Sequence, residues 1–323
     1  QRQRPAGISH PVRDYPDVAG PDVSGDPALA QLLEQLRARH HDAICATLLY
    51  GSCLRSGDIY DGLLDLYLIC DSYRAAYRNP WLTSANWMLP PNVFYAEVKL
   101  EDRTLRSKVT VISLRDFRRG CSSAWFESYI WGRFAQPTRI IYSRDHQTRE
   151  TLEQSLLQAA NTLLHNALPA LQTRGPVTEL WEQALGLSYA TELRTERSGR
   201  AAELALSARE FYAAVTRLLA PSLGFGFTVY DDGGQMSYRS EPTGVQRLSA
   251  QIAWSLRRGQ GKLLSIARLV KALFTFEGGL DYIAWKLERH SGESIVIPDK
   301  VRRAPLIYLW GFFWGLYRRG IFK

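Results

Sequence analysis

Leu48-Leu49-Tyr50-Gly51-Ser52-Cys53 leads through a short polar loop to Leu63-Leu64-Asp65-Leu66-Tyr67-Leu68-Ile69. The first stretch reads as an apolar strand ending on a Gly-Ser turn, the second as an apolar strand that carries one carboxylate. Glycine lets a backbone come against a phosphate with no Cβ in the way, and consecutive N–H groups at a helix start bind anions. Ser52 adds a hydroxyl. Asp65, set between Leu64 and Leu66, is costly to bury without a partner, and Mg²⁺ is a hard cation suited to oxygen ligands. The plain alternatives are an ordinary turn and a strand acid paired with an arginine.

Working outward, residues 27–40 place apolar side chains at 29, 32, 33 and 36 behind Asp26, a capped amphipathic helix that leads into a strand at 44–50. The second strand spans 63–70. Residues 71–91, with Trp81, Trp87, Pro80, Pro90 and Pro91, read as a long irregular excursion. Strands are expected at 92–100, 107–113 and 139–142, with a helix over 115–130. From about 148 the period becomes 3.6, giving helices over 151–173, 177–195 and 199–219, a glycine-rich hairpin, and helices over 244–257 and 261–290 broken at Gly278-Gly279. The fold class is therefore α+β, a mixed-sheet domain followed by a helical one. The expected divisions are an N-terminal arm (1–26), a sheet domain (27–147), a helical domain (148–300) and a tail (301–323).

A chain of 323 residues is long enough for two cores, and 46% hydrophobic with 22% charged residues is a globular composition. The net charge of +8 calls for an anionic partner: nucleotide, nucleic acid or acidic lipid. Only seven of the cations are lysines. Cys45, Cys53, Cys70 and Cys121 show no CxxC spacing and read as reduced core residues, not a zinc site or a disulfide frame. The six histidines are scattered and receive no role. Neither a signal peptide nor a stretch of ~20 apolar residues is evident.

Lys108 is the one lysine between positions 100 and 261, and a cation on a strand facing a triphosphate would offset leaving-group charge. The alternate strand position after Asp65 holds Tyr67, not a second acid. A further metal ligand would come from Asp58 or Asp61 in the preceding loop, from a later strand or from substrate phosphates. A hydroxyl acceptor must lose a proton to a base, whereas a phosphate monoester with a second pKa of about 6 arrives already anionic. One carboxylate fits the phosphate acceptor better. Arg257-Arg258, Lys262, Arg268 and Lys271 form a basic stripe, read as a solvated helix face or a patch for acidic lipid.

Tyr50-Gly51-Ser52 with Leu64-Asp65, Val93-Phe94-Tyr95, Lys108 with Val111-Ile112-Ser113, Gly132-Arg133 before Pro137, Leu187-Ser188-Tyr189 with Glu192 and Arg194, and Lys271–Thr275 together resemble the mitochondrial-type phosphatidate cytidylyltransferases. These peripheral CDP-diacylglycerol synthases are also called the translocator assembly and maintenance family. The matches are short, run in order and cover about residues 45–290. The resemblance implies a nucleotidyltransferase-like sheet domain, a helical C-terminal domain, and Mg²⁺-dependent transfer of CMP from CTP to phosphatidic acid or another lipid phosphate. It implies that Gly51 and Ser52 hold the triphosphate, that Asp65 holds the metal and that Lys108 and Arg133 contact phosphates, with Tyr189, Glu192 and Arg194 bordering the pocket. It also implies a peripheral place on the cytoplasmic face of a bacterial inner membrane or the matrix side of the mitochondrial one. An RNA-directed nucleotidyltransferase and an inactive membrane scaffold are the competing readings; nucleic acid is not the expected partner.

The C-terminus puts fourteen uncharged residues, Ala304–Tyr317, between arginine pairs. As a helix they would span about 21 Å, short of the ~30 Å hydrocarbon core, so the tail reads as an in-plane anchor for an anionic membrane. Docking on the protein's own core, or a homodimer seam through Gly311 and Gly315, is the alternative.

Overall fold

Five strands form one mixed sheet in the order β3-β4-β2-β1-β5: β1 Ile44–Tyr50, β2 Leu64–Cys70, β3 Asn92–Leu100, β4 Arg103–Ser113 and β5 Thr138–Ser143. The computed structural model describes residues 15–18, 22–23, 25–60, 62–101, 103–193, 199–275, 288 and 297–303. Strands β2 and β4 run parallel, while β1 is antiparallel to both β2 and β5 and β3 is antiparallel to β4. Every residue of β1 is buried, which matches a run that is apolar but for Thr47: this strand has helices on both faces.

One face is covered by α1, Pro27–Arg39. Asp26 caps it by accepting from the N–H groups of Ala28 (2.9 Å) and Leu29 (3.0 Å), and Pro27 suits the first turn. Its Leu29, Leu32 and Leu36 pack against Leu49, Leu66, Val109 and their neighbours, each such side chain contributing roughly 1.5–3 kcal/mol by burial. Onto the opposite face pack α5 Leu114–Gly120, α6 Trp131–Phe134, α7 His146–Ala167 and α8 Val177–Tyr189. A continuous apolar cluster runs from Leu48, Tyr67 and Ile112 of the sheet through Trp131 and Leu156 to Trp181, Tyr212 and Trp254. The expected mixed-sheet class with a helical C-terminal part is the observed one. All four cysteines are buried and free.

Two short helices, α2 Ser52–Ser56 after β1 and α3 Tyr73–Ala76 after β2, tighten the connections. Residues 71–91 are not the irregular excursion expected: Pro80–Met88 forms α4, because the Asn79 side chain accepts from Trp81 N–H and Pro80 sits in the first turn. The helix expected over 115–130 ends at Gly120, where a Cβ would come within 2.9 Å of Ile130.

After α8 come α9 Arg200–Ser207 and α10 Arg209–Leu219, then a second sheet in the order β6-β8-β7. Its strands are β6 Arg174–Pro176, which the sequence did not reveal, and the hairpin β7 Thr228–Asp232 and β8 Gln235–Arg239. Gly233 (φ 64°) and Gly234 (φ 88°) close the hairpin; a two-residue turn with both φ positive favours glycine. The break expected near 258–260 does not occur: α11 runs unbroken from Gly244 to Thr275. Gly261 explains why a glycine sits inside it, since a Cβ there would meet the Thr191 carbonyl oxygen at 2.5 Å. The last described element is α12, Asp299–Arg303. No helix among the described residues is long and apolar enough to cross a membrane. Most of the expected N-terminal arm, the Gly278-Gly279 break and the tail from 304 onward lie outside the described residues.

Candidate functional site

The end of β1 and the start of β2 are held side by side by the pairing of Tyr50 with Asp65. Gly51 follows at φ 94°, ψ −159°, a conformation essentially confined to glycine, and a Cβ there would lie 2.8 Å from Asp65 Oδ2. The turn therefore brings bare backbone against the carboxylate. Ser52 is exposed, while Cys53 is buried and donates its Sγ–H to Leu63 O (3.3 Å), tying the turn to the entry of β2.

Across the sheet, Asp65 pairs with Lys108 on β4, Lys108 with Tyr95 on β3, and Tyr50 with Thr138 on β5. Register partners leave a sheet on the same face, with strands about 4.8 Å apart. Asp65 and Lys108 are thus adjacent on the face covered by α5 to α8, both half-buried.

Two residues along β2, Tyr67 is fully buried and its hydroxyl accepts from Arg133 Nη1 at 3.1 Å. Arg133 also donates Nη2 to Glu192 at 3.1 and 3.3 Å. Its helix α6 approaches α8 closely because position 132 is glycine, where a Cβ would come within 2.7 Å of the Ser188 side chain. The separate sequence blocks Gly132-Arg133 and Leu187–Glu192 are therefore one contact in space. Tyr189, at the end of α8, packs half-buried at the edge of the same cluster. Burial pushes the Tyr67 phenol well above its ordinary value despite Arg133, so it stays a neutral hydrogen-bonding group.

A residue to which the sequence gave no role sits at the centre. The Tyr129 ring lies between two guanidiniums, Arg133 at 4.3 Å and Arg268 of α11 at 3.9 Å from its centroid. Burial acts to raise its phenol pKa, but the charges of Arg133, Arg268 and Lys108 together outweigh it and hold it below the ordinary value. Arg268 is in turn clamped by Glu127, Nη2 to Oε2 at 2.8 Å. The acid Glu127, two residues from Tyr129 in an otherwise apolar stretch, was the only local signal of this cluster. The expected solvated basic stripe is also split: Arg257, Arg268 and Lys271 turn into the protein, while Arg258 and Lys262 are exposed.

Of the other expected metal ligands, Asp58 accepts from Tyr60 N–H at 2.8 Å and lines a surface hollow with Asp22, Asp26 and Arg103, on the α1 side. Asp61 and Arg194 lie outside the described residues. Among the described residues no group of three or more His, Cys, Asp or Glu side chains could hold a metal. Asp65 is the carboxylate of its row. Mg²⁺ at nucleotide sites is commonly held by one or two carboxylates with phosphate oxygens and water completing the shell, so the donor set fits a metal that arrives with a triphosphate.

No protein-family model matches the chain, and no curated protein does. Among solved structures, the chain is similar to a nucleotidyltransferase-like protein from Exiguobacterium sibiricum, at 10% identity over 66% of this chain and 99% of that one, with a TM-score of 0.26.

Proposed function

We propose that the chain is a nucleotidyltransferase that moves CMP from CTP to the phosphate of a lipid, phosphatidic acid in the simplest case, and releases pyrophosphate. The observation that carries the reading is the apposition of Gly51, Asp65 and Lys108: bare backbone, carboxylate and ammonium on one face of the sheet. Bound at Asp65 together with the triphosphate, Mg²⁺ would neutralise charge on the pyrophosphate as it leaves.

Each residue has a task in this reading. Gly51 and Ser52 bind the triphosphate through backbone N–H groups and a hydroxyl, and Lys108 offsets the charge that develops on the leaving oxygens. An oxygen of the lipid phosphate forms the new bond to the α-phosphorus, and the bond from that phosphorus to the pyrophosphate oxygen breaks. The acceptor oxygen carries no proton near neutral pH, so no general base is needed. Tyr67 supports this choice of acceptor, because the position where a second acid would stand is a neutral, fully buried phenol serving Arg133. In this reading the Arg133–Glu192 pair, 3.1 Å apart, positions the turn after α8 beside the triphosphate site. Such an enzyme works as a peripheral protein at the surface that supplies its acceptor.

The test incubates the purified chain with CTP, Mg²⁺ and phosphatidic acid in mixed micelles, following pyrophosphate and labelled nucleotide in the organic phase. Pyrophosphate release that depends on the lipid and is lost in Asp65→Ala supports the reading. No release above that control over several lipid phosphates overturns it, and label appearing on added RNA instead would assign an RNA acceptor.

A further inference from the structure

Helix α11 sets Trp254 into the core, yet it also buries three cations and leaves a long apolar stripe outside. A helix on a protein surface ordinarily turns its apolar stripe inward and its charges to water. In α11 the inward side carries Arg257, whose Nη2 donates to Asn166 Oδ1 at 2.6 Å, Arg268 on Glu127, and Lys271, whose Nζ donates to Pro91 O at 2.7 Å and Asn92 Oδ1 at 3.0 Å. On the outward side Leu248, Ile252, Leu256, Leu263, Ile266 and Val270 follow one another at helical spacing, each 50% to 66% exposed. The stripe runs the length of a 32-residue helix, about 48 Å.

We propose that this outward face lies in the headgroup plane of an anionic lipid bilayer, with the helix axis parallel to the surface. Charge selects this occupant. The helix carries six Lys and Arg residues and no Asp or Glu, and Arg258 and Lys262 are exposed beside the stripe. A second copy of the same helix would bring like charges together. The 48 residues that follow α11 carry eight Lys and Arg against five Asp and Glu, so they too share its sign. A large moment, a basic polar face and no acid are the features of helices that bind anionic interfaces. Trp81 (59% exposed), Trp87 (66%) and Met88 (73%) are exposed on α4, and Arg268 and Lys271 hold the chain just after that helix. Tryptophan is favoured at headgroup depth. The inference rests on the helix, not on the reaction, and is tested without nucleotide.

The experiment uses the full chain and sedimentation with vesicles of phosphatidylcholine alone or mixed with phosphatidylglycerol. Wild type is expected to pellet with the mixed vesicles, less so as salt rises, and Leu248→Glu/Ile252→Glu/Leu256→Glu to lose about tenfold or more of that binding with an unchanged melting temperature. Because the four native cysteines are buried, a dye on Ile252→Cys reports the face directly: its emission should shift to the blue with mixed vesicles, while a dye on Gln235→Cys in the hairpin should not shift. No pelleting of wild type, pelleting retained in the triple variant, or no shift at position 252 overturns the proposal. So does a triple variant that melts earlier, which would mean that the chain itself covers the stripe, or one that changes from dimer to monomer.

Discussion

Gly51 and Asp65 are in contact across the first strand pair, closely enough that a methyl group on Gly51 would sit 2.8 Å from the Asp65 carboxylate oxygen. Gly51→Ala therefore meets two obstacles, a backbone at φ 94° that alanine avoids and a clash with the acid. The expected loss is about 1–3 kcal/mol in urea unfolding, with nucleotidyl transfer falling further than stability. Ser52→Ala, at an exposed position, should leave the unfolding midpoint in place.

Asp65→Asn and Lys108→Met remove opposite charges from adjacent strands on one face. Each should lower the transfer rate by about 10²–10³-fold while thermal unfolding moves little. An Asp65→Asn enzyme that kept half its turnover would remove the carboxylate from the mechanism.

Arg133 is 6% exposed and serves both Tyr67 and Glu192. Replacing it with methionine strands Glu192 at 18% exposure and should cost about 3 kcal/mol by chemical denaturation. Tyr67→Phe leaves the Glu192 pair intact, so the expected cost is about 1.5 kcal/mol, with most of the turnover kept. A large fall in turnover for Tyr67→Phe at unchanged stability would make the phenol a participant in the chemistry.

Glu127 is 3% exposed and holds Arg268. Glu127→Gln should cost about 3–5 kcal/mol and speed hydrogen exchange in the second half of α11. Uniform protection of those amides in the variant would show that the helix is held without this pair.

Burial, reinforced by the Arg268 charge, pushes the Lys271 ammonium from its ordinary 10.5 down to about 7. Its oxygen acceptors, among them Pro91 O and Asn92 Oδ1, offset part of that cost. Between pH about 7 and 10.5 the folded chain binds fewer protons at this site than the unfolded chain, so the site makes stability rise with pH across that window; below about 7 both forms are charged and the burial penalty is at its full value. Lys271→Met should flatten this part of the stability profile, measured as the difference in slope between the two proteins. Parallel profiles would mean that Lys271 keeps an ordinary pKa.

How much could be read beforehand depends on how local the signal is. The strand, Gly-Ser turn and acid-bearing strand were legible because alternation and punctuation lie within about twenty residues. That Lys108 stands beside Asp65 is a matter of register between parallel strands joined by a long crossover, which no local pattern encodes. Helix α4 hid behind its tryptophans and prolines, although Asn79-Pro80 is a start signal when read as a cap. Tyr129 and Arg268 are far apart in sequence, and no local pattern joins them. The basic residues of α11 read in sequence as one face, but Arg257, Arg268 and Lys271 turn inward because Asn166, Glu127 and the carbonyl oxygens after α4 accept from them, partners that no helical period encodes.

The stacking of Arg268 on Tyr129 also has a consequence for biosynthesis. Gly51, Asp65 and Lys108 leave the ribosome early, whereas the guanidinium that completes the cation cluster is translated near the end of the described chain. A nascent chain can build the sheet first and acquires its full cluster only when α11 docks. Incomplete translation products would then carry the turn and its acid without the second guanidinium on Tyr129, so synthesis itself sets the order in which the cation cluster is assembled.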